Sequence, residues 1–149
     1  MTTASRDPQA ERAALDAFLA EPRNVMVAAI RSDGRPQMTP NWFYWDGARF
    51  YISTTRSRRK YGNMTRDARV QLALDDATGF RTVLIDGAAE IWEDLDRGLP
   101  YFKKIREKHG RPSTDDAPLK AGLEREGRVL LVITPDRPPE AWTRWGLAQ

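Results

Sequence analysis

An antiparallel β-barrel with accessory helices is the fold this sequence predicts, and three observations carry the prediction. Short apolar or alternating runs recur between turn residues, as in VMVAAI (25–30), ARFYISTT (48–55) and RVLLVITP (128–135). Two of the joints are Asp-Gly pairs, Asp33-Gly34 and Asp46-Gly47, which suit hairpins because both central turn residues must tolerate positive φ. Helical segments do not alternate with strands in the regular way a parallel βαβ sheet requires.

The chain opens with PQAERAALDAFLA (8–20), which places Ala14, Leu15, Phe18 and Leu19 on one helical face, with Asp7 as N-cap and Pro8 at the first helical position. A strand over 25–30 and the first Asp-Gly turn lead into PQMTPNWFYW (36–45), read as one strand. Pro40 cannot donate to a ladder, so this strand belongs at an edge or a bulge. The second Asp-Gly turn returns the chain into 48–55, so the first three strands are expected to form a meander. A short helix over about 58–66 leads to the strand ARVQLALDD, the loop ATGF and the long strand RTVLIDGAAEIW (81–92), in which Gly87 suggests a bulge or sharp bend. Leu95, Leu99, Phe102 and Ile105 have helical spacing within 95–109. RPSTDDAP (111–118) reads as a mobile loop, followed by a short helix near 119–125, the strand 128–135 and a tail carrying Trp142 and Trp145. The expected total is about six strands in one domain spanning residues 1–149.

Composition narrows the function. At 149 residues, 40% hydrophobic and 30% charged, the chain has the make-up of an ordinary globular protein. No apolar run approaches the roughly 20 residues of a bilayer span, and the first residues lack the apolar stretch of a signal peptide. A cytoplasmic protein without a membrane span is expected. With no cysteine and a single histidine, His109, the chain has no disulfide, thiolate ligand or imidazole cluster, and no metal site is expected. His109 falls at a helix end before Gly110, where capping is its expected role. Asp75-Asp76 and Asp115-Asp116 read as turn residues. The net charge of +3 is modest, yet six of the fourteen residues from Arg56 to Arg69 are cationic, opposed by Asp67 alone. Such local density favours a discrete anion site and no nucleic-acid partner.

The stretch YISTTRSRRKYGNM (51–64) combines hydroxyls at Ser53, Thr54, Thr55 and Ser57, cations at Arg56, Arg58, Arg59 and Lys60, and an expected helix start near Arg58. Hydroxyls donate to phosphate oxygens, Arg forks around them, Lys supplies a point charge and a helix start adds partial positive charge. A solvated basic helix face accounts for the charges as well.

The order of segments from Asp33 to Leu72 resembles the pyridoxamine 5'-phosphate oxidase-like, flavin and deazaflavin split β-barrel family. The shared features are Pro40 with Trp42, Trp45-Asp46-Gly47, Ser53 to Thr55, Arg58 to Lys60, Asn63 and Arg66-Asp67, with a looser match through FRTVLIDGAAEI. The resemblance implies a six-stranded antiparallel split barrel forming a homodimer, with two cofactor sites at the subunit interface. By position, Ser53, Thr54, Thr55, Arg58 and Lys60 would hold the cofactor phosphate, and Asn63 would support that loop or reach the ribityl chain. Met38, Thr39, Pro40 and Trp42 would lie along the ring system, and Arg81 and Trp142 would be contributed across the interface. Haem is disfavoured because the sole histidine lies in a peripheral segment. The deazaflavin coenzyme F420, with a phosphodiester and a polyglutamate tail, is favoured over FMN because Arg56, Arg58, Arg59, Lys60 and Arg66 exceed what one phosphate requires. The implied activity is an F420-dependent oxidoreductase that passes a hydride from the reduced deazaflavin to a small conjugated acceptor such as an enone, quinone or tetrapyrrole. The proton would come from solvent or from Tyr44 or Tyr61, and no side chain is assigned as catalytic. The alternatives are an FMN-binding oxidase or reductase of the pyridoxamine 5'-phosphate oxidase type, and a carrier that holds F420 or flavin without turnover.

Overall fold

The architecture comes from a computed structural model that describes residues 6–113 and 115–147. Asp7 accepts a hydrogen bond from the Gln9 amide at 3.0 Å and starts α1 (Pro8–Ala20), whose Leu15, Phe18 and Leu19 are buried. β1 (Val25–Ile30) and β2 (Pro36–Asn41) form the first hairpin. β3 (Tyr44–Trp45) and β4 (Phe50–Thr55) form the second. Then follow α2 (Arg59–Arg66), β5 (Arg69–Asp75), β6 (Thr82–Trp92), α3 (Leu95–Lys108), α4 (Asp116–Arg125), β7 (Arg128–Pro135), a 3₁₀ turn at Pro139–Ala141, and β8 (Thr143–Trp145). Every strand pair is antiparallel, in the order β2-β1-β5-β6-β7-β4-β3, with β8 beside β6. The protein is a split β-barrel with accessory helices.

The segment 36–45 is not one strand, and the expected meander does not form. β2 pairs with β1 at one edge of the sheet and β3 with β4 at the other, so Trp42 and Phe43 carry the chain across the opening between them. From Asn41 to Tyr44 a chain can reach at most about 11 Å, so the two edges must curl towards each other. Pro40 does lie on an edge strand, opposite Met26. Gly87 marks no bulge either, because its register with Val70 on one side and Pro135 on the other is continuous. A Cβ there would lie 2.7 Å from the Thr134 carbonyl oxygen, so this position needs glycine for close backbone approach.

Both faces of the sheet are covered in part. The barrel interior holds α1 together with Val27, Ile52, Met64, Leu72, Ile85 and Leu131. On the outer face, Tyr51, Leu130 and Val132 pack against Phe102 and Ile105 of α3 and Leu123 of α4. α4 begins three residues before the expected start, since Asp115 takes the N-cap position and Pro118 sits in the first turn, where a missing amide costs little. The expected loop shortens accordingly, and its Thr114 lies outside the described residues. The tail adds β8, which the sequence reading did not foresee, and buries Trp142 with its indole N–H donating to the Arg137 carbonyl at 2.9 Å. Among the described residues no helix is long and apolar enough to cross a membrane.

α3 starts at Asp94, whose carboxylate accepts from the Asp96 and Arg97 amides at 2.9 and 3.4 Å. Asp94→Ala should therefore cost about 1 kcal/mol, a fall of roughly 3 °C in Tm by thermal melting.

Candidate functional site

The site begins with strand alternation. Along β4, Phe50, Ile52 and Thr54 face the barrel interior, which leaves Ser53 and Thr55 on the face towards α3 and α4. The chain then turns, with the Arg58 amide donating to the Thr55 carbonyl at 3.1 Å and the Thr55 and Ser57 hydroxyls 3.0 Å apart. α2 follows with no side-chain cap at its N-terminus. Lys60, Asn63 and Met64, at i, i+3 and i+4, form its buried face. That face lies on β2, where Gln37, Thr39 and Asn41 point inward opposite Ala29, Val27 and Val25. Lys60 Nζ donates to Thr39 Oγ1 at 3.3 Å and to Asn41 Oδ1, while Asn63 Nδ2 donates to Gln37 Oε1 at 2.6 Å.

These elements enclose a cavity of about 1110 Å³, slightly above the roughly 300–1,000 Å³ range of cofactor clefts. One wall is the hydroxyl-rich end of β4 with Arg58, Arg59 and Lys60, and a second is β2 with Trp42. The third comes from α3, α4 and β7, including Phe102, Arg106, Leu119 and Arg128. Five cations line the space against two carboxylates, Asp115 and Glu126. Arg58, Arg59 and Lys60 form no ion pair among the described residues, and Arg128 is paired with the exposed Glu126 at 2.6 Å. Lys60 is only 8% exposed. Burial, then the charges of Arg58 and Arg128, push its pKa down to about 8. Thr54 lines the cavity too, and its buried hydroxyl has no hydrogen-bond partner. A buried ammonium without a counter-ion and an orphaned hydroxyl are both satisfied by an anionic ligand, so the residues present fit a phosphorylated cofactor.

Of the residues singled out in the sequence, Thr39, Pro40, Trp42, Ser53, Thr54, Thr55, Arg58 and Lys60 come together around this cavity. Three others do not line it. Met38 alternates to the outer face of β2 and is exposed. Asn63 is committed to Gln37 and accepts from Arg66 at 3.1 Å, so it braces α2 on β2. Arg81 is bound by Asp76 at 2.7 Å and Glu21 at 3.3 Å. Tyr61 donates to Glu93 at 2.7 Å, and neither it nor Tyr44 reaches the cavity. Gln37 and Asn41 were missed, although their two-residue spacing from Thr39 was a readable signal. The α3–α4 wall carried no such signal. His109 is also not peripheral: its imidazole stacks on Trp42 and accepts from the Phe43 amide, while its backbone amide, not its side chain, closes α3. Burial and the Lys108 charge hold its pKa below the usual value.

A family model described as pyridoxamine 5'-phosphate oxidase matches residues 12–138. The chain belongs to this family. Among solved structures similar to this family member is an F420 reductase, 27% identical, with 86% of this chain and 94% of that one covered at a TM-score of 0.68. Another is a conserved hypothetical protein from Mycobacterium tuberculosis, 25% identical over 97% of this chain and 88% of that one, with a TM-score of 0.77. The haem storage protein from Vibrio cholerae, 16% identical over 90% and 94% with a TM-score of 0.70, shares the fold. No curated protein matches the sequence significantly.

Proposed function

We infer that this family member is an F420-dependent oxidoreductase whose cavity grips the cofactor through its phosphate. The observation that carries this reading is the buried Lys60, which has no carboxylate partner among the described residues and lines the same cavity as Ser53, Thr55 and Arg58. Bound in reduced form, F420 supplies the hydride that a conjugated acceptor such as an enone, quinone or tetrapyrrole takes up. The chain's own part is to bind, orient and exclude water. Lys60, Arg58 and the β4 hydroxyls hold the phosphate, while Thr39, Pro40 and Trp42 line the cavity towards the ring. Thr54 Oγ1, which has no hydrogen-bond partner, is available to a ligand or a water. With Tyr44 and Tyr61 off the cavity, solvent delivers the proton.

The cations that favour F420 over FMN are not all those of the basic run. Arg56 is paired with Glu93 and Arg66 donates to Asn63 and the Ile30 carbonyl, so neither is free for a ligand. Arg106, which forms no ion pair among the described residues, lines the cavity and with Arg58, Arg59 and Lys60 keeps its positive charge above the need of one phosphate. The 27% identity to an F420 reductase supports the same choice.

A homodimer is part of the proposal. The outer face of β2-β1-β5-β6 carries exposed Met38 beside half-buried Met26, Ala28, Ile30, Ala73 and Leu84, an apolar patch bordered on β5 and β6 by Arg69, Gln71, Asp75 and Asp86 and suited to a second copy. Met38 then belongs to that interface.

Fluorescence titration with F420 and with FMN tests the reading, followed by acceptor turnover with the reduced cofactor. F420 should bind at least tenfold tighter than FMN and support reduction of an enone or quinone. Tighter FMN binding would transfer the site to the flavin branch. Tight F420 binding without turnover would make the protein a carrier, a role the same phosphate grip serves.

A further inference from the structure

Trp42 and Phe43 join the two edges of the barrel and belong to no strand. The end of α3 holds both. Phe43 donates its amide to His109 Nε2 at 3.4 Å, and the same imidazole lies flat on the Trp42 indole, centroids 4.8 Å apart and planes 5° from parallel. One residue earlier, Lys108 Nζ sits 3.2 Å from the centre of the Phe43 ring and donates to the Leu19 carbonyl at 2.7 Å. The last residue of α3 and its C-cap thus clamp the two aromatic residues of the barrel corner. Trp42 nevertheless remains 41% exposed and lines the cavity. Its indole has a backing on one face and open space beyond the rest.

We propose that His109 is a positioning residue that fixes the Trp42 indole as a flat wall against which the planar ring system of the bound cofactor lies. The inference rests on the cofactor reading above. An indole on an exposed strand crossing has free rotamers to lose on binding, and a stacked, hydrogen-bonded backing loses them in advance. To accept from the Phe43 amide, Nε2 must be unprotonated, which places the proton of the neutral imidazole on Nδ1. His109 is the one histidine in the chain, so a single imidazole spin system appears in NMR spectra without any variant.

Four results are expected. Long-range ¹H–¹⁵N spectra show the Nδ1–H tautomer, and the His109 ring protons carry an upfield ring-current shift that Trp42→Leu abolishes. Saturation with F420 or FMN, whichever the wild type binds, moves the His109 signals. His109→Ala weakens that binding about 5- to 10-fold, the scale of one lost aromatic contact. His109→Phe, which keeps a flat ring against the indole, restores most of it. Should His109→Ala fail to fold, the wild-type spectra and His109→Phe decide alone. A wild type that binds a cofactor while its His109 signals stay still, or while His109→Ala binds equally well, overturns this inference and leaves the cofactor reading standing. A wild type that binds neither cofactor overturns both.

Discussion

Lys60→Met is expected to weaken cofactor binding about 100-fold while leaving the ligand-free protein at least as stable as the wild type. A charge-assisted hydrogen bond to phosphate in a buried site is worth about 1.5–3 kcal/mol, and burial at Lys60 places it at the upper end. Without ligand the same ammonium is a liability. It is buried, it faces Arg58 and Arg128, and it has no carboxylate partner among the described residues. Its folded pKa of about 8 lies below the ordinary 10.5, so holding the proton costs the folded protein about 3 kcal/mol. The sign follows from proton binding: between pH 8 and 10.5 the unfolded chain keeps the proton that the folded one releases, so this penalty fades as pH rises through that window. Methionine fills the space without charge. Binding should respond oppositely, because above pH 8 the free protein must recover a proton before it can grip an anion, and affinity then falls by up to about tenfold per pH unit. Calorimetric titration and thermal melts of both proteins check this. Unchanged affinity with lost stability would reduce Lys60 to a packing element.

Gly87→Ala should cost about 3 kcal/mol, which lowers Tm by roughly 6–12 °C. The added methyl would meet the Thr134 carbonyl oxygen at 2.7 Å and Ile133 Cγ2 at 3.1 Å. The carbonyl oxygen cannot yield without opening the β6–β7 ladder, in which Gly87 faces Pro135 and Ala89 faces Ile133. The damage reaches the site through β7, which supplies Arg128 and pairs Thr55 with it. A melt within 1 °C of wild type would show that β6 and β7 have more room than this register allows.

Local signals made most elements readable. Asp7 with Pro8 fixed the start of α1, the Asp-Gly pairs fixed both hairpins, and the basic run after β4 supplies one wall of the cavity. The failures were long-range. Nothing in PQMTPNWFYW says that its two halves join opposite edges of one sheet, because barrel closure is a property of pairings far apart in sequence. Charge counting alone assigns Arg56 and Arg66 to the ligand, whereas Glu93, Asn63 and the Ile30 carbonyl take them. Arg106 and Arg128 reach the cavity from α3 and β7, and His109 reaches Trp42 from the end of α3, all 40 or more residues beyond the basic run, and no spacing rule connects them to it.

A crystal structure of the protein with F420, or with FMN if that binds more tightly, tests the cradle most directly. The phosphate should sit within hydrogen-bonding distance of Lys60 Nζ and the Ser53 or Thr55 hydroxyl, with Arg58 closing over it. A phosphate found elsewhere, with Lys60 still bound only to Thr39 and Asn41, would contradict the account.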